Sequence, residues 1–116
     1  MRYKNMEENI KNIVSEVNKE LIKLFGGKIK RIILYGSYAR GDFNLESDVD
    51  IMILLNCEQK EITKRRKEIS RIASRIGLKN DIMISLLARS CTDYENQMKY
   101  QPFYQNIEKE GMEIYG

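Results

Sequence analysis

From about Asn5 to Phe25 the apolar residues Met6, Ile10, Ile13, Val14, Val17, Leu21, Leu24 and Phe25 recur at three- and four-residue steps, which predicts a long amphipathic helix. Gly26 and Gly27 stop it. Lys28 to Tyr35 then reads as a first strand, whose β-branched apolar run breaks off at Gly36-Ser37. Asp48 to Leu55 reads as a second strand. A new helical period follows from Glu58 to Ile76 through Ile62, Ile69, Ile72 and Ala73, with Gly77 expected as the residue just past its end. With Asp81 to Leu87 as a third strand, this makes a strand–helix–strand crossover that covers one face of a sheet. Thr92 and Glu95 have the spacing of a capping box. Pro102 opens a further helical stretch through Phe103 and Ile107 to Gly111, and Met112 to Tyr115 alternates like a last edge strand. The expected class is α+β, a small mixed β-sheet flanked by helices.

The chemistry concentrates between Leu34 and Leu55, LYGSYARGDFNLESDVDIMILL. Side chains alternate along a strand, so Asp48 and Asp50 share one face while Val49 and Ile51 point into the core. Two carboxylates that close repel, and a hard cation between them relieves the repulsion. Magnesium suits the pair, because it takes oxygen ligands, needs only one or two protein carboxylates and leaves positions for water and substrate phosphates. Gly36 lets the backbone approach a ligand, and Ser37, opening a short helix, offers a hydroxyl and free N–H groups to an anion. Arg40, one turn on, can add a charged fork for a phosphate oxygen, and Gly41 ends the turn. Phe43 to Ser47 reads as a loop, with Asp42 and Glu46 as surface carboxylates.

Composition narrows the options. With 116 residues the chain is expected to form one domain, residues 1–116, with no separate substrate-binding unit. No apolar run approaches the ~20 residues that span a membrane, and the Lys-, Asn- and Glu-rich N-terminus lacks a signal-peptide core, so a cytoplasmic location is expected. There is no histidine, which removes triads that need an imidazole base and most zinc hydrolase chemistry. Cys57 and Cys91 have no metal or redox spacing and read as reduced thiols. The net charge of +3 does not imply general nucleic-acid binding. Lys60, Lys64, Arg65, Arg66, Lys67, Arg71, Arg75 and Lys79 nevertheless crowd one segment, either as a solvated helix face or as a docking surface for an acidic partner or RNA.

Gly36-Ser37, ten residues, then Asp48-Val49-Asp50, with Ala39-Arg40-Gly41 between, resembles the signature of the DNA polymerase beta nucleotidyltransferase superfamily, specifically its minimal nucleotidyltransferase (MNT) branch. The ending, Pro102 to Gly111, is also similar to small stand-alone domains of that group, so the likeness covers nearly the whole chain. The resemblance implies the polymerase beta-like fold and a third carboxylate on the strand after the crossover helix, where Asp81 matches by position. It also implies transfer of AMP from ATP to an acceptor hydroxyl. Asp48, Asp50 and Asp81 would hold two magnesium ions, while Gly36, Ser37 and Arg40 would hold the phosphates.

The resemblance further implies a partner. Many minimal nucleotidyltransferases act as antitoxins beside a HEPN-domain toxin, some by transferring AMP to a toxin tyrosine, in a type VII-like toxin–antitoxin pair. The leading expectation is therefore protein adenylylation of such a partner. Two alternatives stand beside it: neutralisation of a partner by complex formation alone, and adenylylation of a small molecule of the aminoglycoside kind.

Overall fold

In the computed structural model, which describes residues 7–115, the first apolar stripe becomes α1, Glu8–Phe25, with Ile10, Ile13, Val14, Val17 and Leu21 buried along one side. Asn5 and Met6 lie outside the described residues. A 3-10 turn over Gly26–Lys28 leads into β1, Ile29–Tyr35. The short helix α2, Ser37–Arg40, and a loop connect it to β2, Val49–Leu55, which begins one residue later than its sequence suggests. β2 runs antiparallel to β1 and parallel to β3, Ile84–Ser90. β4, Met112–Glu113, pairs with the outer side of β1, completing a mixed sheet of order β3-β2-β1-β4.

The central strand explains its own composition. Val49, Ile51, Met52, Ile53, Leu54 and Leu55 are all buried, because helices cover both faces of the sheet along most of its length. On one face Ile32, Leu34, Ile51, Ile53 and Leu55 meet α1 and the crossover helix in the main core. On the other, Ile33, Met52 and Leu54 meet Tyr94 and Ile107 of the last two helices, α5 (Cys91–Met98) and α6 (Pro102–Glu110). Asp50 is the single polar residue in β2, and it faces this second side.

α6 is fixed to the sheet by a polar network as well as by Ile107. The buried Tyr94 donates its hydroxyl proton to Glu108 at 2.9 Å, Glu108 pairs with Arg31 at 3.0 Å, and Arg31 reaches Glu113 at 2.6 Å. Burial first, then the Glu108 bond, pushes the Tyr94 hydroxyl above its usual range, so it stays a donor. Ser90, not Thr92, caps α5: its hydroxyl accepts from the Asp93 N–H at 3.1 Å. β3 runs straight into the helix, so the cap falls two residues before the expected box.

The crossover departs from its expected shape. It is two helices, α3 (Gln59–Lys64) and α4 (Arg66–Asn80), joined at Arg65 with φ −98 and ψ 6. Thr63 to Glu68 contains no apolar residue, so nothing there packs a continuous helix onto the sheet between Ile62 and Ile69. Gly77 lies inside α4 and is not its C′ residue. A Cβ there would sit 2.6 Å from the Ile82 carbonyl oxygen, so the glycine serves close approach of the returning chain. Replacing Gly77 with Ala should destabilise the fold by about 1–3 kcal/mol through overpacking against backbone. The better helix propensity of Ala, about 1 kcal/mol, acts in the opposite direction. A denaturation midpoint at or above that of the native chain would contradict this placement.

Candidate active site

β1 and β2 deliver the glycine turn and the acidic pair to one end of the sheet. Tyr35, the last residue of β1, stands opposite Asp50 across the antiparallel pair. Gly36 follows with φ 76 and ψ −154, a region essentially closed to other residues. A Cβ at this position would collide with Asp50 Oδ2. The Asp50 carboxylate therefore lies directly over the Gly36 backbone.

Ser37 begins α2, where the first N–H groups of a helix have no acceptor within it. Ser37, Gly36, Arg40 and Asp50 line one cavity of about 290 Å3, closed by Tyr35 and by Phe103, Asn106, Ile107 and Glu110 of α6. Phe103 meets the Tyr35 ring edge-on at 5.8 Å. Arg40 is held between two carboxylates, Asp42 at 3.2 Å and Glu110 at 3.7 Å, one from its own loop and one from α6. On the buried side of α2, Tyr38 stacks on Phe43 at 4.6 Å. That contact ties down the loop before Asp48, which is further bent by Asn44 and Ser47 hydrogen bonds.

Asp48 is exposed, immediately before β2, while Asp50 is half-buried. Burial, and then the Asp48 charge, push the Asp50 carboxyl above its usual range, against a smaller pull from Arg40. Neither acid has a hydrogen-bond or ion-pair partner among the described residues. Asp50 in turn adds to the burial that pushes the Tyr35 hydroxyl up to about 12. A pair of unpartnered carboxylates short of counter-charge fits a hard divalent cation, whose other positions stay open to water and phosphate. Asp48 and Asp50 are the residues that would hold it.

Asp81 does not line that cavity. It is the cap of α4, in the left-handed conformation with φ 53 and ψ 46, and it lines a different cavity with Ala73, Gly77 and Met83. Among the described residues no three or more acids, cysteines or histidines group as a metal site. The physical reason is the length of α4: it runs on to Asn80, so β3 begins only at Ile84 and contains no acid. The residue beside Asp50 in the parallel register is Ser85, which is exposed. Asn tolerates the left-handed cap as well as Asp does. Asp81→Asn should therefore leave both stability and nucleotide transfer close to native, and loss of transfer on the scale of an Asp50 variant would return Asp81 to the site.

Sequence reasoning left Phe103, Asn106 and Glu110 out of the site, although they share one helical face at three- and four-residue spacing behind Pro102.

The family model of the nucleotidyltransferase domain matches residues 14–113, a span that includes the Gly36-Ser37 turn and both acids. The chain belongs to the nucleotidyltransferase domain family. This nucleotidyltransferase is 38% identical over 102 residues to a protein of Methanocaldococcus jannaschii named as a protein adenylyltransferase, spanning 88% of this chain and 95% of that one. A second protein of that organism with the same name is 30% identical over 111 residues, 96% of this chain and 99% of the relative. Among solved structures, a toxin–antitoxin with AMP-PNP has a chain that superposes with a TM-score of 0.58 at 19% identity, covering 89% of this nucleotidyltransferase and 73% of that chain. A tri-AMPylated HEPN toxin of Shewanella oneidensis in complex with an MNT antitoxin superposes with a TM-score of 0.55 at 18% identity, covering 91% and 71%. Those two likenesses establish the fold, the small mixed sheet flanked by helices. No helix among the described residues is long and apolar enough to cross a membrane.

Proposed function

We propose that the protein transfers AMP from ATP to a hydroxyl on a partner protein, a HEPN-type toxin that it thereby neutralises. The observation that carries this reading is the Asp50 carboxylate lying over Gly36, which joins the second acid of the pair and the anion-binding turn in one cavity with Ser37 and Arg40. The acceptor oxygen forms a bond to the α-phosphorus, the bond to the bridging oxygen of the β-phosphate breaks, and pyrophosphate leaves. Gly36 and the Ser37 hydroxyl and N–H hold the outgoing phosphates, and Arg40 turns from Asp42 and Glu110 to offset their charge. Asp48 and Asp50 would hold a divalent ion, and Asp48, open to solvent, takes the acceptor's proton and passes it to water. Magnesium, when bound, neutralises charge developing on the phosphate oxygens.

A protein acceptor is supported by what surrounds the acids. Phe103, which lines the cavity, is 47% exposed; Leu45, 104%, and Phe43, 44%, lie on the loop between α2 and Asp48, and Met83, 67%, lies at the neighbouring cavity that Asp81 lines. Met83 is bonded through its backbone carbonyl to Val49, between the two acids. An apolar rim around a polar cavity suits a protein surface better than a sugar-like polycation.

Co-expression with a HEPN-domain protein, followed by intact mass measurement, tests the reading. The expected result is a partner heavier by one or more AMP groups, dependent on Asp48 and Asp50. A partner bound and silenced at its unmodified mass would replace transfer with neutralisation by complex formation. That second reading has one observation in its favour, the absence of any acid on β3 beside Asp50.

A further inference from the structure

The cations of α3 and α4 fall into two sets. Four are each matched by a carboxylate: Lys60 with Glu58 at 3.4 Å, Arg65 with Glu68 at 3.2 Å, Lys79 with Glu16 at 3.1 Å, and Arg75 with Glu20. Lys64, Arg66, Lys67 and Arg71 are different. Their side chains are exposed and have no ion-pair or hydrogen-bond partner among the described residues. With the hydroxyls of Thr63 and Ser70, these four line one groove of about 720 Å3 at the break between the two helices. They exceed the net charge of +3, so the rest of the molecule is acidic on balance.

Cations kept only for solubility are commonly paired with acids, as Lys60, Arg65, Arg75 and Lys79 are. Like charges at four-residue spacing on one helix, as Lys67 and Arg71 are on α4, oppose one another. An anion entering the groove removes that repulsion. The groove shares no lining residue with the cavity of Gly36, Ser37, Arg40 and Asp50, so it is a separate site from the one that would hold the nucleotide.

We propose that this groove docks a short acidic segment of the partner protein. Nucleic acid fits it less well. No aromatic side chain lines the groove for a base to stack on. A few carboxylates on a protein surface need only the four cations and the two hydroxyls. The proposal takes from the functional reading only that the partner is a protein.

Anisotropy of a labelled octaglutamate peptide, titrated with the full chain, tests it, with ATP binding measured on the same samples. The peptide is expected to bind the native chain, to weaken with salt, and to lose about tenfold or more in affinity with Arg66→Glu/Arg71→Glu. Lys60→Glu/Lys79→Glu, the same change in net charge made outside the groove lining, should lower that affinity far less, and ATP affinity should be native in both variants. An equal loss in Lys60→Glu/Lys79→Glu would reduce the effect to net charge and overturn the proposal. So would a short RNA duplex of matched charge that displaces the peptide at lower concentration than unlabelled octaglutamate does. Peptide binding that persists in a chain unable to bind ATP would instead sink the transferase reading and leave the groove standing.

Discussion

Replacing Asp50 with Asn is expected to lower AMP transfer by about 10²–10³-fold or more, the scale on which removing one group that stabilises transition-state charge acts. Two functions of the carboxylate go at once: its share of a divalent cation and its fixed position over the Gly36 backbone. The fold should not suffer. Burial and Asp48 already hold the Asp50 carboxyl above its usual range, so the folded state disfavours its charge relative to the unfolded chain. For an acid shifted that way, the ionised form at neutral pH opposes folding, and a neutral amide removes the opposition. Thermal unfolding at pH 7 should therefore show Asp50→Asn at least as stable as the native protein. Calorimetric titration with manganese should show weakened metal binding in the same sample. Native transfer rates in this variant would remove the acidic pair from the mechanism, and a lowered Tm would mean that its loss of activity reports unfolding.

The parts of the site that could be read from the sequence are those encoded locally. Gly36-Ser37 and Asp48-Val49-Asp50 each sit at the border of an apolar strand, and a hairpin-like antiparallel pair brings those borders together whatever the rest of the chain does. Asp81 could not be placed in the same way. Its position depends on where α4 stops, and Gly77, the residue that looked like the stop, is there so that the Ile82 carbonyl can pass close by. A glycine required for close approach and a glycine required for a left-handed turn look alike in one sequence. The wall made by Phe103, Asn106 and Glu110 depends on how α6 lies against the sheet, which the Tyr94–Glu108–Arg31 network decides across more than sixty positions of sequence. Spacing marks those residues as one helical face, but nothing local says what the face is turned toward.

Gly36→Ala should be nearly as damaging to transfer as loss of Asp50, and it should also cost stability. Two separable effects act at this one position. The first is conformational: φ 76 with ψ −154 is a backbone state that a residue with a Cβ adopts only at a cost of about 1–3 kcal/mol. The second is a collision, since the new methyl group would overlap Asp50 Oδ2 and drive the carboxylate off the turn. A double-mutant cycle with Asp50→Ala separates them. Truncating Asp50 removes the collision and leaves the backbone strain, so Gly36→Ala should destabilise the Asp50→Ala chain less than it does the native one. The coupling expected for two residues in contact is about 0.5–3 kcal/mol. Equilibrium denaturation of the four proteins measures it directly. A coupling near zero would mean that the carboxylate does not rest on the Gly36 backbone, and the proposed joining of acid and phosphate sites in one cavity would fail with it.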